Sequence, residues 1–147
     1  MNNTLMTKVK KFLAFILITS ILAGVSYLIV FKISFLPNGY DIVEVQNDSI
    51  ELKSFNMSGI EEEIKTLNFS KKETWKIDAL VYDVSRQKEF LWLLFSFFSI
   101  SVFLLVYKIR KGLKLWKAIF ESNLVFSVLL PIFPVINSLK SIQVLIN

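Results

Sequence analysis

The chain has 147 residues, room for one or two small units, and is 54% apolar with 20% charged residues, which excludes a disordered chain. It has no Cys and no His, so a thiolate or imidazole metal site, a disulfide framework and any Ser–His or Cys–His catalytic pair are excluded. The formal charge is +5, a value that fits either an anionic partner or a sorted set of membrane loops.

Residues 1–11 form a basic N-terminus carrying Lys8, Lys10 and Lys11 without an acid. Phe12 to Phe31, FLAFILITSILAGVSYLIVF, then runs for 20 residues without a charge. At 1.5 Å rise per residue this is a helix of about 30 Å, the thickness of a bilayer's hydrocarbon core. A cleaved signal peptide is the competing reading, but its apolar stretch is about 7–15 residues and closes on an A-x-A-like site. Here the small residues Ala23, Gly24 and Ser26 are followed by more apolar sequence. An uncleaved signal anchor over 12–31 is therefore expected. Thr19 with Ala23, and Ser20 with Gly24, are small residues four apart and are expected to seam this helix to the second span.

Residues 32–88 are expected to be an extracytoplasmic domain. Pro37-Asn38-Gly39 is a turn signal. YDIVEVQNDSIELKSF then reads as a β-hairpin turning at Asn47-Asp48, with Val43, Val45, Ile50 and Leu52 alternating with polar residues. A lone hairpin is marginally stable and must pack on something. Ser58-Gly59-Ile60-Glu61 matches a capping box and predicts a short helix from Gly59 to about Asn68, with Glu61, Glu62 and Glu63 favoured in its first turn by the helix dipole. Three consecutive Glu lack the spacing of a calcium loop. Ser70-Lys71-Lys72-Glu73 is a second capping-box match. Over 71–87 a strand and a helix compete. Ile77, Leu80, Val81 and Val84 fit the helical period, and a helix running into the second span is favoured, against the β-branched and aromatic content.

The second span is expected at 89–107, built on the uncharged run Phe90 to Tyr107. Ser96 and Ser99 lie one turn apart in it, and its phenylalanines are expected to face lipid. Trp92, Trp116, Tyr27 and Tyr107 stand near run ends, as interfacial aromatics do. Residues 108–117 form a basic loop with Lys108, Arg110, Lys111, Lys114 and Lys117 and no acid. A third span is expected at 118–137, with a re-entrant or interfacial segment as the alternative, because Glu121 and Asn123 lie in its first turns and Pro131 and Pro134 interrupt it. Glu121 follows Lys117 by four residues, so the pair can meet on one helix face. Residues 138–147 are the expected extracytoplasmic tail.

Charge orients this layout. The two basic segments carry eight bases and no acid, whereas 33–87 carries ten acids and six bases. By the positive-inside rule the N-terminus is cytoplasmic and the C-terminus extracytoplasmic, in a multi-pass protein of the cell membrane. The net charge is then a topology signal and predicts no nucleic-acid partner. The expected fold class is a mainly α membrane protein with three transmembrane helices and a small α+β domain, hairpin plus helix, between the first two.

No HExxH, GxSxG, P-loop or GxGxxG motif is present, and an enzyme is not expected. No catalytic residue, cofactor or metal ligand is predicted. Glu121, Asn123, Pro131 and Pro134 are the candidate functional or packing residues, because polar groups and broken helices are costly inside a bilayer. The expected function is that of a non-enzymatic accessory, regulatory or immunity-type protein. It would work in the lipid bilayer through contacts with a protein partner or through self-association of its helices. An oligomeric transport or pore component built on Glu121, Asn123 and the Pro131/Pro134 kink is the alternative.

Overall fold

A computed structural model describes residues 2–147. The elements in chain order are α1 (Asn2–Tyr27), a π-helical extension (Leu28–Lys32), β1 (Tyr40–Val45), β2 (Ser49–Phe55), β3 (Glu61–Asn68), α2 (Trp75–Arg110), α3 (Leu115–Glu121) and α4 (Leu124–Ile146). Three helical stretches are long and apolar enough to cross a membrane: Asn2–Lys32, Trp75–Arg110 and Leu124–Ile146.

The 36 residues of α2 would span about 54 Å, well beyond the ~30 Å of a hydrocarbon core. Its charges, Lys76, Asp78, Asp83, Arg86, Lys88 and Glu89, all precede Phe90 or follow Tyr107 together with Lys108 and Arg110. One helix thus carries two environments. Its first turns build the core of the β unit and its middle is the apolar run. The favoured helical reading of 71–87 holds from Trp75 onward.

The three strands form an antiparallel sheet in the order β1-β2-β3. The Asn47-Asp48 turn joins β1 to β2 as expected, closed by Gln46 N–H donating to the Ser49 carbonyl at 2.8 Å. The short helix expected from Gly59 to Asn68 is instead β3, so the unit is a three-stranded meander and not a hairpin plus helix. The reason lies in the preceding turn. Asn56 Oδ1 accepts from Ser58 N–H at 2.9 Å and Ile60 N–H at 3.0 Å, and Gly59 has φ +73. This Asx-stabilised turn folds the chain back onto β2, and a left-handed residue at Gly59 cannot start a right-handed helix. Pairing with β2 from Ser49↔Asn68 to Phe55↔Glu61 then overrides the local helical signal.

Two cores meet end to end. Ile50 and Leu52 from β2 pack with Ile77, Leu80 and Val84 from α2 and Ile142 from α4. Val30, Leu36, Phe55, Leu91 and Val135 form the second cluster, where the π-helical segment leaves α1. Along α2 the buried residues Ile77, Leu80, Val84, Gln87 and Leu91 alternate by three and four. Along α4 Ser127, Pro131, Val135, Ser138 and Ile142 follow steps of four and three. Such spacing makes one straight seam per helix and packs two helices at a shallow angle.

The third apolar run is not one helix. Asn123 adopts the left-handed conformation (φ 54, ψ 28) and separates α3 from α4. The segment expected as a tail, 138–147, is the end of α4, which continues to Ile146 with Ile142 fully buried against the sheet.

α1 packs chiefly on α2 and leaves most of its apolar side chains exposed. The seam differs in part from the expected one. Thr19 and Ala23 are half-buried, but Ser20 and Gly24 are exposed, and a Cβ built on Gly24 would touch nothing within 4 Å. The Trp92 Nε1–H donates to the Ala23 carbonyl at 2.9 Å and ties α2 to α1.

Candidate functional site

The four sequence candidates do not converge. Glu121 ends α3, one turn before the Leu124 start of α4, and is held by Lys108 at the end of α2. The Lys108 ammonium donates to the Glu121 backbone carbonyl at 2.8 Å and to its carboxylate Oε2 at 3.2 Å. Lys117, the expected i,i+4 partner, stands at 4.0 Å. This arrangement caps a helix C-terminus with a cation and links α2 to α3. Asn123 supplies the left-handed turn and lines a shallow cleft of about 310 Å³ with Phe97, Ser101 and Ser127. Pro131 is buried on the α4 seam and Pro134 is half-buried, and α4 runs through both without a break. Each proline lacks an N–H, so the carbonyls of Ser127 and Leu130 lose their helical donors. Neither proline lines the Asn123 cleft.

A polar cluster that sequence reasoning missed joins the β unit to the apolar helices. Gln87 is fully buried on the α2 seam. Its Oε1 accepts from Tyr40 N–H at 3.0 Å and its Nε2 donates to the Tyr40 carbonyl at 3.2 Å. The side-chain amide thus pairs with β1 as a neighbouring strand would, and satisfies two part-buried backbone groups on the side of β1 away from β2. Gly39 makes room for it: an added Cβ would lie 2.8 Å from Gln87 Nε2 and 3.0 Å from Leu36 Cβ. Beside it Asp41, largely buried, pairs with Lys88 and accepts from Ser34 Oγ at 2.9 Å. The signal for Gln87 was present in the sequence. It is the one amide in an otherwise apolar three-and-four spacing from Ile77 to Leu91.

The entry to α2 is polar and exposed. Glu73 accepts from Lys76 Nζ at 2.8 Å and from Ser70 Oγ at 3.1 Å. The bond from Lys76 is the main reason its carboxyl titrates below the usual carboxylate range. The second capping-box match therefore forms a Ser70–Glu73 turn, and the regular helix begins at Trp75.

The outer edge of β3 is the most accessible part of the β unit. β3 is hydrogen-bonded to β2 alone, and every residue from Glu61 to Asn68 except Leu67 is exposed. Lys53 on β2 reaches Glu61 at 2.9 Å, Lys65 stands 3.9 Å from Glu63, and among the described residues Glu62 has no basic group within 4.0 Å, although Lys140 lines the same cavity. Among the described residues no three acidic side chains are grouped so as to hold a metal ion.

None of the family models, curated proteins or solved structures compared with this chain matches it.

Proposed function

We propose that this chain is a multi-pass protein of the cell membrane that acts without catalysis, as an accessory, regulatory or immunity-type subunit, through protein–protein contacts of its β unit. The observation that carries this reading is the free edge of β3. An unpaired strand edge is a template for another strand. Here the acidic end of β3 discourages indiscriminate pairing and selects a partner segment rich in Lys or Arg. Sidedness follows from charge. Lys11 and Tyr107 line one cleft, so the basic N-terminus and the basic loop lie at one end, which is the cytoplasmic end in this reading. The sheet and the α4 C-terminus lie at the other, extracytoplasmic end.

The test is purification from native membranes in mild detergent. A stoichiometric protein partner should accompany the chain. The double substitution E62K/E63K, at two exposed positions, should release it while far-ultraviolet circular dichroism stays unchanged. Recovery of a lone monomer under several gentle conditions would overturn the reading.

A further inference from the structure

At the basic end of the helices α1 and α2 part and leave an apolar cleft of about 260 Å³. One wall is Lys11, Ala14, Phe15 and Ile18, spaced by three and four on a single α1 face; the other is Phe103, Leu104 and Tyr107 of α2. From Lys11 to Ile18 the cleft runs about 10 Å along the helix axis, roughly two thirds of one leaflet's hydrocarbon depth. Its outer end is cationic. Lys11 lines it, and the Lys111 ammonium sits 4.6 Å from the centre of the Tyr107 ring that closes it. Lys8, Lys10, Arg110 and Lys114 lie close in sequence to that end, and the one acid of the adjoining loop and α3, Glu121, is already held by Lys108.

We propose that this cleft seats one acyl chain of an anionic phospholipid, with the lipid phosphate between Lys11 and Lys111 and hydrogen-bonded by the Tyr107 hydroxyl. The apolar walls take the chain, and the ammonium groups at the mouth stand at the level where a phosphate begins. Charge complementarity selects the headgroup. Two cations without a carboxylate between them favour a phosphate that keeps its negative charge over one neutralised by its own choline. The cation–π contact with Tyr107 holds the Lys111 ammonium at the mouth. The inference requires the chain to lie in a bilayer and is independent of the partner proposed for β3.

The experiment is native mass spectrometry and lipid titration of the full chain in nanodiscs, with phosphatidylglycerol and phosphatidylcholine of identical acyl chains. Phosphatidylglycerol should be retained selectively. The K11Q/K111Q double variant should weaken it about thirty-fold, corresponding to about 1 kcal/mol for each lysine. A14F, which fills the cleft and keeps every charge, should weaken it as well. K8Q/K10Q removes the same charge outside the cleft and should change it less than three-fold. Equal loss from K8Q/K10Q, no effect of A14F in a protein of unchanged circular dichroism, or equal retention of phosphatidylcholine would each overturn the seat. So would competition by free glycerol phosphate at the lipid's own concentration. A chain that stays soluble without detergent or lipid would overturn the membrane reading together with it.

Discussion

Gln87 shows how much one side chain can organise. A buried amide inside an apolar seam is unfavourable unless all its groups are paired, and the Tyr40 backbone pairs both ends of it. The arrangement depends on Gly39, which lies where any Cβ would press on that amide. Gln87→Ala should cost about 2–4 kcal/mol, because it leaves the part-buried N–H and carbonyl of Tyr40 without their side-chain partner and empties a fully buried position. Gly39→Ala should cost about 1–3 kcal/mol through overpacking. Since the first substitution removes the atom that the second collides with, the double variant should be less destabilised than the sum, by roughly 0.5 kcal/mol or more. Equilibrium unfolding of the four proteins in detergent measures the cycle, and strict additivity would mean that the two positions do not touch in solution. Gln87 was legible as an oddity in the α2 spacing. Its partner was not, because Tyr40 stands 47 positions away and a backbone group has no signature in sequence.

Among the elements, α2 and α4 are each used twice. The first turns of α2 support the sheet and its middle is the apolar run. In α4, Ser127 to Val135 lies along the apolar part of α2, whereas Ile142 is buried under β2. The part of α4 that precedes the β unit, 124–137, would be about 20 Å long, short of a full hydrocarbon core. α3 supplies what lies beside it. Trp116 and Phe120 are 75% and 77% exposed there, between Lys114, Lys117 and Glu121, a composition that suits a helix lying at a headgroup boundary. The C-terminal turns of α4 are thus a structural part of the β unit. Ile142→Ala should destabilise the chain by about 2–5 kcal/mol through the lost transfer energy and the cavity left among Ile50, Leu52 and Ile77. Val144→Ala, two residues on but exposed, should change stability by no more than about 0.5 kcal/mol. Thermal unfolding monitored on the same preparations distinguishes them, and equal effects would mean that the end of α4 is detached from the sheet. Helix periodicity announced α2 because a residue's face repeats every 3.6 positions. The capping-box pattern misled at β3, where Ser58 and Glu61 match it and only the Asn56–Gly59 turn and the waiting edge of β2 decided for a strand.

For the molecule as a whole, the two ends differ in kind. One collects lysines and arginines around the start of α1 and the α2–α3 loop; the other carries the acidic sheet. If the apolar middle lies in a bilayer, these ends face different compartments. The chain has no native Cys, so single Cys reporters label cleanly. Asp48→Cys, in the β1–β2 turn, should react with an impermeant maleimide from outside intact cells. Lys114→Cys, in the basic loop, should react only after permeabilisation. Labelling of both from one side would overturn the proposed topology. Lys114 is preferable to neighbouring Gly112, whose φ of +93 would strain any side chain.

Three apolar stretches, their asymmetric basic flanks, a hairpin in the N-terminal half of the β unit and a preference for helix over strand at 71–87 are legible in the amino-acid sequence. All of these rest on periodicity, length and charge within a window of a few turns. Contacts across the fold set where one apolar run breaks and how the remaining segments are used. Asn123 turns left-handed and detaches Glu121 from α4, where Lys108 takes it as a cap. β3 exists because β2 offers an edge, and the end of α4 remains helical over a face that the sheet leaves apolar. These outcomes depend on pairings between positions far apart in the chain. A local pattern states which conformations a segment tolerates, and the partner across the fold determines which of them is kept.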